Sequence, residues 1–310
     1  MAHYSNFPTQ PISQRSIVTI GVFDGMHYGH VQMLRTIADQ AHSSGKDAIV
    51  VTFDPHPDSI IHPDTHLGLL ISHAERIERI SACGIDHVIT VQFTPVIQSM
   101  SAMEFMQHVM TATSLDTLCV GWDFALGRQR EGNSERLTEI GKEIGYATVL
   151  MPRIGNTNTA PSANAIRHAL QAGDIAKVTA QLGRPHQYSG AVATGDQRGR
   201  TIGFPTANLI IDERLMLPKY GVYACTINVG SECFVSVTNI GQRPTFHGVL
   251  PRIEAHILDF QRDIYAQQVV VSLHAFIRPE QRFNGIQELI TQIQRDVAFT
   301  RMLNLHEKCN

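Results

Sequence analysis

The chain has 310 residues, with 25 Lys and Arg against 28 Asp and Glu, and a formal charge of −3 at pH 7. Charged residues make up 17% and hydrophobic residues 43% of it, at a mean hydropathy of −0.07, which excludes a disordered polypeptide. The weak, slightly negative field also excludes nucleic-acid binding driven by bulk positive charge, so an anionic ligand has to be held by helix N-termini, glycine loops and single arginines.

This length predicts two domains, each burying its own core. Five cysteines (Cys83, Cys119, Cys225, Cys233, Cys309) are scattered, odd in number and never spaced CxxC. Neither a disulfide framework nor a zinc ribbon is expected, and a reducing compartment is. The N-terminal MAHYSNFPTQPISQRS lacks the apolar core of a signal peptide, and no apolar run reaches membrane-spanning length. A soluble, cytoplasmic protein without nucleic-acid or membrane partners is expected; oligomeric state is left open.

The first half alternates. Residues 17–23 (IVTIGVF), 48–53 (AIVVTF), 87–91, 117–121 (TLCVG) and 148–151 read as short apolar strands. Between them, 31–41, 73–82, 102–112 and 134–144 carry apolar residues at helical spacing. Apolar strands alternating with amphipathic helices predict an α/β domain, a Rossmann-like parallel sheet covered on both faces, with ligands beyond the carboxyl ends of its strands. Residues 163–172 and 174–182 read as two short helices joined at Gly173.

The pattern changes at Gly183-Arg184-Pro185. Between 190 and 278 the runs GAVATG, GVYACTINVG, FVSVTNIG, EAHILDF and QVVVSLHAFI are separated by turn signals, which predicts a small antiparallel β-barrel. Residues 285–304 carry Ile286, Leu289, Ile290, Ile293, Val297 and Met302 at helical spacing and read as a closing helix. The domains are therefore drawn as 1–183 and 184–310.

Directly after the first strand comes GVFDGMHYGH (21–30), whose core is His27-Tyr28-Gly29-His30. Two imidazoles three apart at a helix start share one face, and Gly29 removes a side chain that would block a phosphate. Backbone N–H groups and the helix dipole add positive potential there. Such a site can hold ATP phosphates and stabilise charge developing at the α-phosphorus. The plain alternative, in a chain with 16 histidines, is a pair that merely caps a helix. A metal site that includes His56, in TFDPHP (52–57), is a further alternative, although no carboxylate or Cys completes it.

The second half contains GDQRGRTIGFPTAN (195–208). Gly195, Gly199 and Gly203 let backbone amides approach an anion, and Arg198 and Arg200 add charge. Thr206 and Asn208 offer hard oxygen ligands suited to Mg²⁺ bridging nucleotide phosphates. Phosphoryl transfer to an alcohol also benefits from a base, and Glu254 in RIEAHILDF (252–260) is a carboxylate on a strand. A solvated barrel turn and an outward-facing strand carboxylate are the plain alternatives.

GVFDGMHYGH, TFDPHP and VGWDFALG (120–127), in that order, resemble the N-terminal half of the bacterial bifunctional riboflavin kinase/FMN adenylyltransferase (FAD synthetase) family. GDQRGRTIGFPTAN, YGVY (220–223), NIGQRPTF (239–246), EAHILDF, RPEQRF (278–283) and QIQRD (292–296) resemble its riboflavin kinase domain. The resemblance implies an adenylyltransferase domain in which His27 and His30 contact ATP phosphates, with Gly21, Phe23, Asp24, Gly29 and Asp123 lining the nucleotide. It implies a kinase domain in which Gly195, Arg200 and Gly203 bind ATP, Thr206 and Asn208 serve Mg²⁺ and ATP, and Glu254 is base toward the ribityl 5′-hydroxyl. Riboflavin, FMN and FAD are then substrate and products.

Two stretches depart from the family pattern. The second phosphate motif, I-S-S-T-x-x-R, corresponds to PSANAIR (161–167): Ser162 and Arg167 match, while Ala163 and Asn164 replace a Ser and a Thr. A lost hydroxyl costs about 1–3 kcal/mol against a charged acceptor, although the Asn164 amide can still donate. Ala266 stands where the family usually has Gly after Tyr265. The sequence leaves three alternatives beside the bifunctional enzyme: a riboflavin kinase with a weak or inactive adenylyltransferase domain, a non-catalytic flavin or nucleotide sensor, and a nucleotidyltransferase for another phosphate.

Overall fold

A computed structural model describes residues 1–64, 67–154, 160–194, 198–245 and 248–309. The chain divides into two compact units, residues 1–67 with 72–162 and residues 68–71 with 163–310.

The first unit runs β1 (Ala2–Tyr4), β2 (Ser16–Ile20), α1 (Tyr28–Ser43), β3 (Asp47–Asp54), α2 (Pro57–Ile61), α3 (His73–Ser81), β4 (His87–Gln92), α4 (Pro95–Ser99), α5 (Ala102–Thr113), β5 (Leu115–Gly121), α6 (Ser134–Ile144) and β6 (Ala147–Met151). Its six strands form one parallel sheet in the order β1-β4-β3-β2-β5-β6. The unbroken apolar runs reflect burial on both faces: every residue of β2 is buried, and so are the six inner residues of β3. On one face Val18, Ile20, Val51 and Leu118 pack with Phe105, Met106 and Val109 of α5 and Leu137 and Ile140 of α6. The chain runs from β2 outward to β4, then returns beside β2 as β5. The carboxyl ends of β2 and β5 therefore flank the switch point at which open sheets take ligands.

Three short elements escape the apolar periodicity. β1 is a three-residue edge strand, and α2 and α4 are five-residue helices that each begin with proline. The first strand also ends earlier than its apolar run: β2 stops at Ile20, and Phe23, Gly25 and Met26 take positive φ (54°, 77° and 41°) in the turn that follows.

The second unit contains α7 (Ala163–Ala172), α8 (Ile175–Leu182), β7 (His186–Ala193), α9 (Arg198–Thr201), β8 (Ala207–Ile210), β9 (Gly221–Val229), β10 (Glu232–Thr245), β11 (Gly248–Ile257), β12 (Gln268–Pro279) and α10 (Ile286–Met302). Its six strands close into an antiparallel barrel in the order β10-β11-β8-β7-β12-β9. Alternation sets its faces: Ile253, Ala255 and Ile257 of β11 join the interior cluster, whereas Arg252, Glu254 and His256 take the outer face. The same cluster holds Ile166, Ala169 and Leu170 of α7 and Ile175, Val178 and Leu182 of α8. That apolar stripe places both helices with the barrel, so the packing divides between 162 and 163 while the change of sequence pattern falls at 183.

α10 covers part of the barrel's outer face, where Val222, Ala224, Val235 and Val237 meet Val297 and Leu305. The apolar stripe read from its sequence is not its most buried face. Asp296 and Thr300 are the buried residues, while Ile286 and Met302 are 61% and 72% exposed. The reason is an ion pair. Asp296 accepts from Arg278 Nε at 3.0 Å and Nη2 at 2.8 Å, and from Gln292 Nε2 at 2.9 Å.

One disulfide, Cys233–Cys309, is present although the scattered cysteines gave no expectation of one. Leu305, buried on the barrel's outer face, brings the C-terminal turn back to the start of β10, across a separation of 76 residues that no local spacing reveals. Cys83, Cys119 and Cys225 are buried free thiols. No helix among the described residues is long and apolar enough to cross a membrane.

Candidate active sites

The first site is built on the turn between β2 and α1. His27 is the N-cap of α1, and its Nδ1 accepts from the backbone N–H of His30 at 3.2 Å. In the neutral imidazole the proton then sits on Nε2, leaving that nitrogen as donor. The two rings stack at 3.6 Å between centroids, 17° apart in plane, and Phe23 meets His30 edge-on at 5.1 Å. Burial lowers the His27 pKa to about 4. It lowers that of His30 well below its ordinary value, with His27 adding to the effect. Both imidazoles are therefore neutral hydrogen-bonding groups at pH 7, and the positive potential comes from the start of the 16-residue helix α1. An arriving polyphosphate favours protonation of both. The buried Nδ1 of His30 has no hydrogen-bond partner among the described residues.

The space at Gly29 is also needed for packing. A Cβ there would stand 3.1 Å from Pro161 and 3.2 Å from the His27 ring. Gly21 likewise makes room for Phe23, whose ring would lie 2.9 Å from a Cβ at 21. Phe23 and Asp24 are 3% and 4% exposed, so they build the turn from inside. Asp123 is exposed beyond β5, and its carbonyl accepts from Arg130 Nη2 at 3.2 Å. Its neighbour Trp122 is exposed under the Arg153 guanidinium, 4.6 Å from the ring centroid.

Of the second phosphate motif, Pro161 and Ser162 end the first unit, whereas Asn164 and Arg167 lie on α7 in the second. Arg167 donates through Nη1 to Asn164 Oδ1 at 3.2 Å and through Nε to Gly68 O at 3.1 Å. The structure adds a residue that the motif reading missed. Arg76, 4% exposed on α3, donates to Val22 O at 3.1 Å and to Phe53 O at 2.8 Å, joining the ends of β2 and β3. The available signal was its place four residues before Ile80, on the buried stripe of α3. His56 caps α2 through its Nδ1, and no group of three or more metal-ligating side chains occurs among the described residues.

The second site lies on the barrel. Gly195 falls outside the described residues. Gly203 adopts φ +88°, and a Cβ at Gly199 would stand 2.3 Å from Phe204 O, so both glycines shape the tight turn that leads into β8. Arg200 and Thr206 line a cavity of about 380 Å³ with Val192, Phe260, Ile264 and Tyr265. His256 contacts Pro205 O at 2.8 Å and Phe204 edge-on at 5.3 Å, bracing the turn that carries Thr206.

Asn208, Glu254 and Asn239 stand in register on β8, β11 and β10, one row across the outer face of the barrel. Glu254 pairs with Arg252 on the same face. Asn239 donates to Glu280 Oε1 at 3.4 Å. The motifs contain Asn239, Arg252 and Glu280, but only strand register, which is invisible in one sequence, brings them beside Glu254. A second cavity of about 290 Å³ follows Glu280, lined by Gln281, Phe283 and residues of α10 that include Glu288, Gln292 and Arg295.

Residues 9–164 match the FAD synthetase family, and residues 182–304 match the riboflavin kinase family. The bifunctional riboflavin kinase/FMN adenylyltransferase of Listeria monocytogenes is 32% identical over 287 residues, covering 92% of this chain and 91% of its own. That of Escherichia coli K12 is 34% identical over 295 residues, covering 94% of each. A crystal structure described as a macrolide-efflux protein from Streptococcus pneumoniae superposes with a TM-score of 0.87 at 28% identity, over 96% of this chain and 98% of that one. With both halves matched in order along nearly its whole length, the chain belongs to the bifunctional riboflavin kinase/FMN adenylyltransferase family.

Proposed function

We infer that the chain makes flavin cofactors in two successive transfers, riboflavin to FMN on the barrel and FMN to FAD on the parallel-sheet unit. In the first, the ribityl 5′-oxygen attacks the γ-phosphorus of ATP, Glu254 takes the hydroxyl proton, and ADP leaves. Arg200 and Thr206 hold ATP in the larger cavity, and the isoalloxazine ring lies along the groove under α10. Thr206 and Asn208 are neutral oxygen donors at an accessible edge. They fit Mg²⁺ carried mainly by phosphates and water, which neutralises phosphate charge when bound. In the second transfer, an FMN phosphate oxygen attacks the α-phosphorus of another ATP and pyrophosphate leaves. FMN phosphate is already anionic, so that step needs no base. His27 and His30 donate hydrogen bonds, and the start of α1 stabilises the charge that develops.

Residues 1–183 are assigned to adenylylation and 184–310 to the kinase. Because α7 and α8 share the barrel's core, a kinase fragment should begin at 163 rather than 184.

The observation that carries the kinase reading is the register row, which sets a strand carboxylate beside an amide ligand on an accessible face. Incubation with riboflavin, ATP and Mg²⁺, with FMN and FAD separated by chromatography, tests both activities. Glu254→Gln should lower kinase turnover about 10²–10⁴-fold with little change in the KM for riboflavin. FAD formation from supplied FMN should be unchanged. Wild-type kinase turnover in that variant would remove Glu254 as the base.

A further inference from the structure

Glu280 follows directly on β12, exposed to solvent, yet its carboxylate has a defined seat. Asn239 donates to its Oε1 at 3.4 Å. The carboxylate also lies flat against Gly241. A Cβ at 241 would stand 2.4 Å from Oε1, 3.0 Å from Cδ and 3.2 Å from Oε2, and these are the three nearest heavy atoms. Gly241 is not among the positive-φ glycines, so its backbone tolerates a side chain. What the glycine provides is the space that the Glu280 carboxylate fills.

That seat is fixed relative to the base. Asn239 is the register partner of Glu254, and Gly241 is the partner of Arg252, two residues further along. Diagonal neighbours of this kind lie about 7–8 Å apart across a ladder, a span that an extended five-carbon polyol covers. On the other side, Gln281, the next residue, opens the groove under α10. Glu280 thus borders both the place where a hydroxyl is phosphorylated and the place where a planar ring can lie. Its two oxygens can each accept from a hydroxyl, and bonds to a charged acceptor are the stronger kind.

We propose that Glu280 is a specificity residue of the kinase site: its carboxylate accepts hydrogen bonds from the secondary hydroxyls of the ribityl chain while Glu254 addresses the 5′-hydroxyl. The assignment rests on the reading of Glu254 as the base. It makes the site selective for a polyol chain over a plain alkyl alcohol that bears the same ring.

The test crosses enzyme variants with two substrates. One is riboflavin. The other is a flavin with a 5-hydroxypentyl chain at N10, which keeps the reacting hydroxyl and lacks the other three. The wild type should phosphorylate the analogue with kcat/KM about 10–100-fold lower than riboflavin. Glu280→Ala and Glu280→Gln should lower kcat/KM for riboflavin by a similar factor and leave the rate on the analogue unchanged, which also reports an intact fold. Gly241→Ala, which displaces the carboxylate, should do the same in the wild type and add nothing on top of Glu280→Ala. Equal losses on both substrates, or wild-type discrimination in the Glu280 variants, would overturn the proposal. Loss of kinase turnover in Glu254→Gln alongside either result would leave the base assignment standing, so the two failures are separable.

Discussion

Asp296→Ala is the most informative single change in the kinase unit. The Asp296 side chain is 3% exposed and that of Arg278 is 16% exposed. Truncation removes the acceptor of three guanidinium contacts, at 2.8, 3.0 and 3.1 Å, and of the Gln292 amide. Arg278 keeps a bond to Pro279 O at 3.2 Å and the Phe283 ring at 5.8 Å, neither of which balances its charge. Breaking a buried pair by removing one partner costs about 3–5 kcal/mol. At roughly 2–4 °C per kcal/mol for a unit of this size, its unfolding midpoint should fall by about 10 °C in scanning calorimetry. The KM for riboflavin should rise, because α10 lines the groove proposed to hold the ring, while FAD formation from supplied FMN stays at the wild-type rate. Asp296→Leu combined with Arg278→Met removes both charges and should recover most of the stability. A midpoint within about 1 °C of wild type in Asp296→Ala would refute the reasoning. So would a double variant as unstable as the single one, because the cost would then not be the unpaired charge.

Acid should weaken the first unit. Its His27 titrates at about 4 against an ordinary 6.5, so the unfolded chain binds more protons between those values and stability falls as the pH drops through that window. The loss should reach about 3 kcal/mol near pH 4, measured by urea unfolding, and His27→Gln should flatten the slope. Equal stability at pH 4.5 and 7.5 would contradict this. Introducing Ala163→Ser with Asn164→Thr should raise the rate of FAD formation about tenfold, by restoring hydroxyl donors and freeing Arg167 from Asn164. Arg167→Ala should lower that rate, and a faster Arg167→Ala enzyme would rule out a phosphate role for this motif. Reducing Cys233–Cys309, which closes a long loop, should lower the melting temperature of the kinase unit. The loop-entropy magnitude is about 4 kcal/mol, and an identical Cys233→Ser protein would count against it.

The sheet and the barrel were legible because burial on two faces and on one face leave different periods, continuous in β3 and alternating in β11. The histidine turn and the Thr206 loop were legible as motifs. What escaped depends on partners distant in the chain. The turn after Ile20 keeps an apolar composition while φ changes sign at Phe23. Arg76 reads as a surface charge until the carbonyls of Val22 and Phe53 are seen to need a donor. α10 carries an apolar stripe, yet a carboxylate is its buried anchor because Arg278 reaches it from β12. The row of Asn208, Glu254 and Asn239 exists only in the register between strands.

The cross-link between Cys233 and Cys309 turns everything from the start of β10 to the last turn into a covalent ring. Asn239, Glu254, Glu280 and Asp296 all belong to that ring, while Arg200, Thr206 and Asn208 lie outside it. The two groups meet along the β8–β11 ladder, only three residue pairs long, with Glu254 opposite Asn208 at its middle. On the roles proposed above, phosphoryl transfer takes place at a seam: the base belongs to a closed loop of chain, and Thr206 and Asn208 to the segment docked against it. Because Phe260, Ile264 and Tyr265 of the larger cavity also lie within the ring, opening it with a thiol reductant releases chain that borders both cavities of the barrel unit.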